Sequence, residues 1–177
     1  VCSNANWKKK TRRLHGRYTK NTNRVTASII RRFFMAITSA VCNTFKTEVL
    51  RAIHNFTNGG NEFKLALYTS SATLNKSTTA YTSSNEVANG NGYTTKGIAL
   101  TNTTPALSSD TACCDFADVS FTSASFTANG CLIFNETASG DPSVCAIAFG
   151  GDKTVSSGTF TIQFPVADAN NAILRIA

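Results

Sequence analysis

The spacing of apolar residues along the chain changes from about four residues to two near Gly60. Upstream of that point, apolar side chains recur at every fourth position, at Ile37, Val41, Phe45, Val49 and Ile53. Side chains four apart lie on one side of a helix. The spacing therefore predicts an amphipathic N-terminal helix over about residues 37–56, with this apolar face packed on the rest of the domain.

Beyond residue 62 the pattern is that of β-strands. "EFKLALYT" (62–69) and "SGTFTIQFPV" (157–166) alternate apolar and polar side chains, which is typical of a strand with one buried face. "GCLIFNE" (130–136) and "SVCAIAFG" (143–150) are continuous apolar runs bounded by turn residues, which favours strands buried on both faces. The polar stretch 70–92 predicts a long surface loop.

These patterns together predict a mainly β fold. We expect an antiparallel β-sandwich or jelly-roll-like domain over about residues 62–177, with the N-terminal helix packed on it. Residues 35–177 would then form a single domain. No apolar run in the sequence approaches the roughly 20 residues needed to span a membrane, so no membrane partner is expected.

The charge is distributed unevenly. Residues 1–34 hold ten of the 17 basic residues and no acid, whereas the rest of the chain has seven basic against all ten acidic residues, a net of −3. One interpretation of the tract is a basic arm that binds nucleic acid, as in small jelly-roll capsid proteins. Its candidate nucleic-acid-binding residues are Lys8, Lys9, Lys10, Arg12, Arg13 and Arg17.

A second interpretation is that residues 1–34 are an upstream extension of the reading frame. Arg31-Arg32 can be encoded by AGG AGG, Phe33-Phe34 by TTT TTT, and Met35, the only methionine, by ATG. These codons would form a purine-rich ribosome-binding sequence, a T-rich spacer and a start codon. We favour this interpretation, under which Met35 is the first residue and nucleic acid is a partner only if residues 1–34 are expressed.

No pattern of reactive residues predicts a catalytic, cofactor or metal site. "FGGDKT" (149–154) lacks the glycine that precedes lysine in a phosphate-binding loop, and we interpret it as a turn between two strands. The cysteines and histidines lack the spacing of a zinc site. Cys131 and Cys145 lie in apolar runs and are expected to be buried thiols, with a bridge between them as the alternative. A calcium site would need Asp115 and Asp118 to meet Asp141 or Asp152.

Four stretches of the chain resemble a family of small structural proteins from tailed double-stranded DNA phages. They are "MAITSAVCNTFKTEVLRAIHNF", "FKLALYTSSATLNKSTTAYTSSNEV", "GNGYTTKGIALTN" and "FGGDKTVSSGTFTIQFPVADANNAILRIA". The resemblance begins at Met35 and covers the chain from there to its end. It implies a virion component and no catalytic site. The basic tract and Cys113-Cys114 depart from the family pattern.

The expected function is therefore that of a non-enzymatic structural protein of a tailed bacteriophage, most simply a capsid-decorating (cement) subunit or a tail or neck subunit. Its partners would be other virion proteins and further copies of itself, and its location the virion, assembled in the host bacterial cytoplasm. The alternatives are a glycan-binding, host-recognition module of a phage fibre, with Tyr68, Tyr81 and Tyr93 stacking on sugars, and the arm-bearing jelly-roll capsid protein.

The favoured interpretation of the tract predicts that the native protein begins at Met35. Peptide mass spectrometry of the native protein should recover peptides from residues 36–177 and none from 1–34. Recovery of the tryptic peptides "LHGR" (14–17) or "YTK" (18–20) at comparable abundance would show that the tract is translated.

Overall fold

The computed structural model describes residues 36–177, which form two antiparallel β-sheets and one short helix. The elements in chain order are β1 (Ala40–Val41), α1 (Asn43–Leu50), β2 (Phe63–Tyr68), β3 (Ile98–Leu100), β4 (Asn102–Ser108), β5 (Thr111–Phe116), β6 (Val119–Asn135), β7 (Ser143–Ile162) and β8 (Leu174–Ile176). The first sheet has the order β1-β7-β6-β2-β3 and the second the order β4-β5-β8. The predicted mainly β fold is confirmed. Met35 and the candidate nucleic-acid-binding residues Lys8, Lys9, Lys10, Arg12, Arg13 and Arg17 lie outside the described residues.

The longest pairing in the molecule joins β6 to β7, from Val119 opposite Ile162 to Phe134 opposite Ser143. Each strand contains segments that the sequence pattern predicted as separate strands. The predicted turn at "FGGDKT" is instead part of β7, where residues 149–152 bulge opposite the single residue Asn129. Glycines at 150 and 151, both with positive φ, permit this bulge without ending the strand.

The central part of the first sheet, around residues 131–134 of β6, is buried on both faces. One face shares a core with the second sheet and α1, to which Leu65 and Ile133 contribute from the first sheet and Phe116 and Leu174 from the second. The other face, which includes Tyr68, Leu132 and Phe134, is covered by Ile37 and by parts of the connection between β2 and β3. Residues 131–134 are fully buried, which confirms the expectation drawn from their continuous apolar run.

The connection between β2 and β3, residues 69–97, contains no strand, as the polar stretch predicted. It nevertheless contributes buried side chains, among them Leu74 and Val87. Its end passes very close to β2, because a Cβ at Gly97 (φ +73°) would collide with the carbonyl oxygen of Leu65. Only glycine tolerates both this approach and this backbone conformation.

The helix is much shorter than predicted, since it covers Asn43–Leu50 and not 37–56. Upstream, the chain is extended: Thr38 N donates to Leu74 O (2.8 Å), and Ala40 and Val41 pair with β7. These tertiary hydrogen bonds satisfy backbone groups that a helix would otherwise pair internally, so they override the four-residue spacing.

The helix ends in a left-handed residue that the sequence did not suggest. Ala52 has φ +57°, and Ile53 N donates to Glu48 O (3.0 Å) in a Schellman arrangement. Of the predicted helix face, only Phe45 and Val49 lie on α1. Ile37, Val41 and Ile53 lie outside it, so the prediction that all five residues share one helix face was wrong.

We expect Phe45→Asp to lower the free energy of unfolding by at least about 3 kcal/mol, because it places an unpaired charge in the core and removes an aromatic side chain. The Phe45 ring is 7% exposed and its centroid lies 4.9 Å from that of His54 and 5.9 Å from that of Phe56. Chemical denaturation measures the change.

The matched control is Asn43→Asp, which adds the same charge to an exposed position in the first turn of α1. It should change the free energy of unfolding by no more than about 0.5 kcal/mol. Equal effects of the two substitutions would contradict the packing of α1 described here.

Candidate interaction surface

Exposed apolar side chains gather at one end of the second sheet. Ala112 on β5 pairs with Leu107 on β4 and with Ile176 on β8, so the three side chains form a row across one face of that sheet. Leu107 is 74% and Ile176 67% exposed, and Leu50 at the end of α1 is 88% exposed. We call Leu50, Leu107, Ala112 and Ile176 the Leu50 patch. Isolated exposed apolar side chains are ordinary, but a contiguous group marks a contact surface.

The Leu50 patch surrounds the mouth of a cavity of about 420 Å³ between α1 and the second sheet. Phe45, Val49 and Phe56 line it on the helix side, and Cys114 and Leu174 on the sheet side. The size lies within the range of about 300–1,000 Å³ that is usual for binding pockets. Its lining is mostly apolar, so the cavity is suited to apolar side chains or hydrocarbon.

Two cationic side chains, Lys46 and Arg175, stand among the residues that line this cavity, and the described lining contains no carboxylate. Both residues are exposed. The Arg175 guanidinium donates to the carbonyl oxygen of Ala169 (2.7 Å), a residue that lines a neighbouring cavity together with Arg175. An apolar centre with a charged rim is the arrangement found in protein–protein interfaces.

A second apolar cavity, of about 700 Å³, lies beside β1 and the far half of β7. Phe149, Phe160 and Phe164 line it and are partly buried. It exists because β7 has 20 residues whereas β4, the longest strand of the second sheet, has seven. At roughly 3.3 Å per residue, the smaller sheet cannot cover the length of the larger one.

A carboxylate network fixes the 69–97 connection to the first sheet. Glu86 Oε1 accepts hydrogen bonds from Tyr93 OH (2.6 Å) and Lys96 N (2.7 Å), and Glu86 Oε2 accepts one from Tyr81 OH (2.6 Å). Burial, and after it the hydrogen bond to Glu86, raises the pKa of both Tyr81 and Tyr93 well above the ordinary value. The phenols therefore remain protonated donors. Tyr93 OH also accepts from the backbone N–H of Leu67 on β2 (3.0 Å).

Ion pairs extend this network to the β6–β7 connection. Lys96 Nζ lies 2.8 Å from Asp141 Oδ2 and 3.0 Å from Glu136 Oε1, and Lys64 Nζ lies 2.7 Å from Glu136 Oε2. Burial alone would raise the pKa of Glu136, but Lys64 and Lys96 outweigh it and lower that pKa. The Lys96 pKa is raised, first by Asp141 and then by Glu136. Glu136 and Lys96 are thus charged near neutral pH, and their ion pairs connect the 69–97 connection to the β6–β7 connection.

His54 joins α1 to β6. Its Nε2 lies 3.0 Å from Glu48 Oε2, and its Nδ1 accepts from Asn135 Nδ2 at 3.1 Å, which assigns the proton of a neutral ring to Nε2. A catalytic base needs a nucleophile within hydrogen-bond reach. Within residues 36–177 neither ring nitrogen is hydrogen-bonded to a hydroxyl or a thiol. The hydrogen bonds of His54 instead connect α1 to β6 in the protein interior.

The cysteines of the described chain are buried thiols, namely Cys42, Cys113, Cys114, Cys131 and Cys145. Cys131 lies opposite Ile147 and Cys145 opposite Ile133, so the two sulfur-bearing residues are diagonal neighbours on β6 and β7. Burial raises the pKa of Cys145 to about 12. Such thiols are poor nucleophiles because the thiolate is the reactive form.

Three of the four aspartates considered as calcium ligands have separate partners, Asp152 with Asn129 among them, and Asp115 Oδ1 is buried without a hydrogen-bond partner among the described residues. Asp118 Oδ1 accepts from Phe164 N (2.8 Å), whereas Asp141 pairs with Lys96. Over the part of the chain that the structure describes, no group of three or more His, Cys, Asp or Glu side chains is placed to hold a metal ion. Tyr68 and Tyr93, considered above as sugar-stacking residues, are buried, and Tyr81 is partly buried.

The residues that form the Leu50 patch were missed by the sequence analysis. Leu50 lies within the predicted helix but outside its predicted face, and the patterns described above single out neither Leu107 nor Ile176. Leu50 and Ile176 are exposed because they lie at the ends of α1 and β8. The spacing of apolar residues did not predict where these two elements end. Glu86 lies in the polar stretch 70–92, and no sequence motif distinguishes it from its neighbours.

Comparison of the chain with protein-family models, curated proteins and solved structures gives no match. Across residues 36–177, none of the helical structure is both long and apolar enough to cross a membrane. The proposal of function therefore rests on the residues, their arrangement and the resemblance given under Sequence analysis.

We expect Tyr93→Phe to lower the free energy of unfolding by about 1–3 kcal/mol at pH 7, because Leu67 N–H and the Glu86 carboxylate each lose a buried partner. Tyr81→Phe is the matched control: it removes one hydrogen bond to the same carboxylate from a more exposed ring, so its cost should be smaller. Denaturant titration of the three proteins measures both changes.

The pH dependence provides a second readout of the same substitution. The pKa of Tyr93 is higher in the folded state than the value of about 10 for an unfolded chain, so its contribution to stability is complete below about pH 10 and is lost as the pH rises further. Tyr93→Phe should therefore make the alkaline loss of stability shallower. An unchanged slope above pH 10 would contradict the burial of this phenol.

Proposed function

We propose that this chain is a non-enzymatic structural protein of a tailed-phage virion, acting as a capsid-decorating (cement) subunit or as a tail or neck subunit. Its partners are other virion proteins and further copies of the chain, and it assembles into the particle in the host bacterial cytoplasm. The observation on which the proposal rests is the Leu50 patch. It is an exposed apolar surface on α1 and the second sheet, with cationic residues beside it. The resemblance of residues 35–177 to small phage structural proteins supports the same role.

The mechanism in this proposal is assembly by surface burial. Covering exposed apolar area stabilises a contact by about 25 cal/mol per Å² before the cost of association is subtracted. A subunit that carries such a surface on rigid strands loses little conformational freedom when it docks. In the first sheet, the hydrogen bond from Leu67 N to Tyr93 OH and the ion pairs of Lys96 hold the long 69–97 connection against β2 and the β6–β7 connection.

The finer description of the fold is part of the proposal. The shared core between the two sheets supports a β-sandwich. The division of the eight strands into five and three differs from the two four-stranded sheets of a jelly roll, so the strand order gives more support to a sandwich than to jelly-roll connectivity.

The proposal predicts that the chain is a stoichiometric component of purified particles. Phage particles that carry this gene should be banded on a density gradient and each fraction quantified by peptide mass spectrometry. Peptides from residues 36–177 should follow the particle band with many copies per genome, while host cytoplasmic proteins remain at the top of the gradient. A chain that remains at the top with those host proteins would contradict a virion role.

A further inference from the structure

We propose that the Leu50 patch binds a second copy of this chain in a head-to-tail contact. The inference rests on the proposed structural role and names the partner of its surface. The occupant is a different face of a neighbouring copy, one that carries carboxylates. Such a contact repeats from copy to copy and produces a ring or a filament.

The position of the exposed side chains argues for a protein surface as the occupant. Leu50 and Ile176 stand at the mouth of the 420 Å³ cavity and are largely exposed. A small molecule that filled the cavity would leave both side chains, and Leu107 beside them, in water. A protein surface covers the cavity and the row together, which removes far more apolar area from water.

The charges argue for a second copy and for its orientation. Apart from the two rim cations Lys46 and Arg175, the chain from residue 36 onward has five basic residues against ten acidic ones. Within residues 36–177, the rest of the surface therefore has the excess of acidic residues that the two cations attract. A patch-to-patch dimer would instead bring the cations of two copies towards each other, which like-charge repulsion disfavours.

The geometry of the fold permits such a contact without rearrangement. α1 ends at Leu50 and β8 ends at Ile176, so the uncovered row lies at the ends of two elements and not in a closed cleft. β4, one of the two edge strands of this sheet, carries Pro105, which limits backbone pairing along that edge, and β8, the other edge strand, has only three residues. The contact is therefore made by side chains across the face of the sheet.

The experiment uses the full 177-residue chain, treated with nuclease and studied by sedimentation velocity across a range of concentrations. The wild-type chain should form species larger than a dimer as the concentration rises. Leu50→Asp and Ile176→Asp should each weaken assembly at least tenfold, and both should remain folded because the side chains are exposed. Val166→Asp is the matched control, since Val166 is 76% exposed and lies outside the Leu50 patch. It should leave assembly unchanged.

A mixing experiment tests the orientation. Leu50→Asp destroys the patch but keeps the acidic face, so in a head-to-tail contact the variant binds one end of a wild-type assembly and shortens it. In a patch-to-patch dimer the variant would remain monomeric and leave wild-type dimers unaffected. That second outcome overturns the head-to-tail contact.

Three further results would overturn the inference. One is a wild-type chain that remains monomeric up to about 100 μM, since a contact weaker than this has a free energy of association of less than about 5.5 kcal/mol. Another is equal loss of assembly in Val166→Asp. The third is a monomeric chain whose unfolding temperature rises with dodecanoate, which would assign the cavity to an amphipathic anion. A monomeric chain that still bands with particles would overturn this contact and leave the virion role intact.

Discussion

The pairing of β6 with β7 is the constraint on which the rest of the structure depends. Every other strand of the first sheet attaches to this pair, β1 to β7 directly and β2 to β6, with β3 beyond β2. Residues 130–135 of β6 have hydrogen-bonded neighbours on both sides, and their side chains enter the apolar clusters on both faces. Bulges, such as the one at residues 149–152, bend the pair without interrupting it.

The unequal size of the two sheets follows from that pair and sets where the surface is apolar. The second sheet has three short strands, so it cannot cover the full length of β6 and β7. The result is one open cavity along the far half of β7 and another beneath the end of α1, with Val41 lining both. Part of the 69–97 connection covers the opposite face of the first sheet through Ala72, Leu74 and Tyr81. Val87 and Tyr93 of the same connection pack into the core that the first sheet shares with the second.

The sequence predicted the parts of this fold that depend on local periodicity. The continuous run in "GCLIFNE" predicted a strand buried on both faces, as the structure has it, because burial affects every side chain of such a strand. "EFKLALYT" predicted the strand β2, but its alternation indicated one buried face, whereas Ala66 and Tyr68 on the other face are also fully buried. The helix bounds were wrong because Ala40 and Val41 take their hydrogen bonds from β7, more than 100 residues away. Its end was missed because Ala52 adopts a left-handed conformation that glycine usually supplies. Long-range pairing and unusual dihedral angles leave no periodic signal.

The Leu50 patch was harder to predict from the sequence than the fold. Leu107, Ala112 and Ile176 are aligned only by the register of three strands, of which the last is 60 residues beyond the second. A leucine or isoleucine also suggests burial, so exposure of Leu50 and Ile176 contradicts the usual pattern and appears only once the ends of α1 and β8 are known. The Glu86 network depends in the same way on a polar connection folding back over β2.

Hydrogen exchange of the dilute, monomeric chain, followed at single amides, tests the central role of the β6–β7 pair most directly. The account predicts that the slowest amides are those of residues 130–134 on β6 and 63–65 on β2, which lie between two hydrogen-bonded neighbours, and that β4 and β8 exchange much faster. Exchange of β4 and β8 as slow as that of β6, or exchange of residues 130–134 as fast as that of the 69–97 connection, would contradict it.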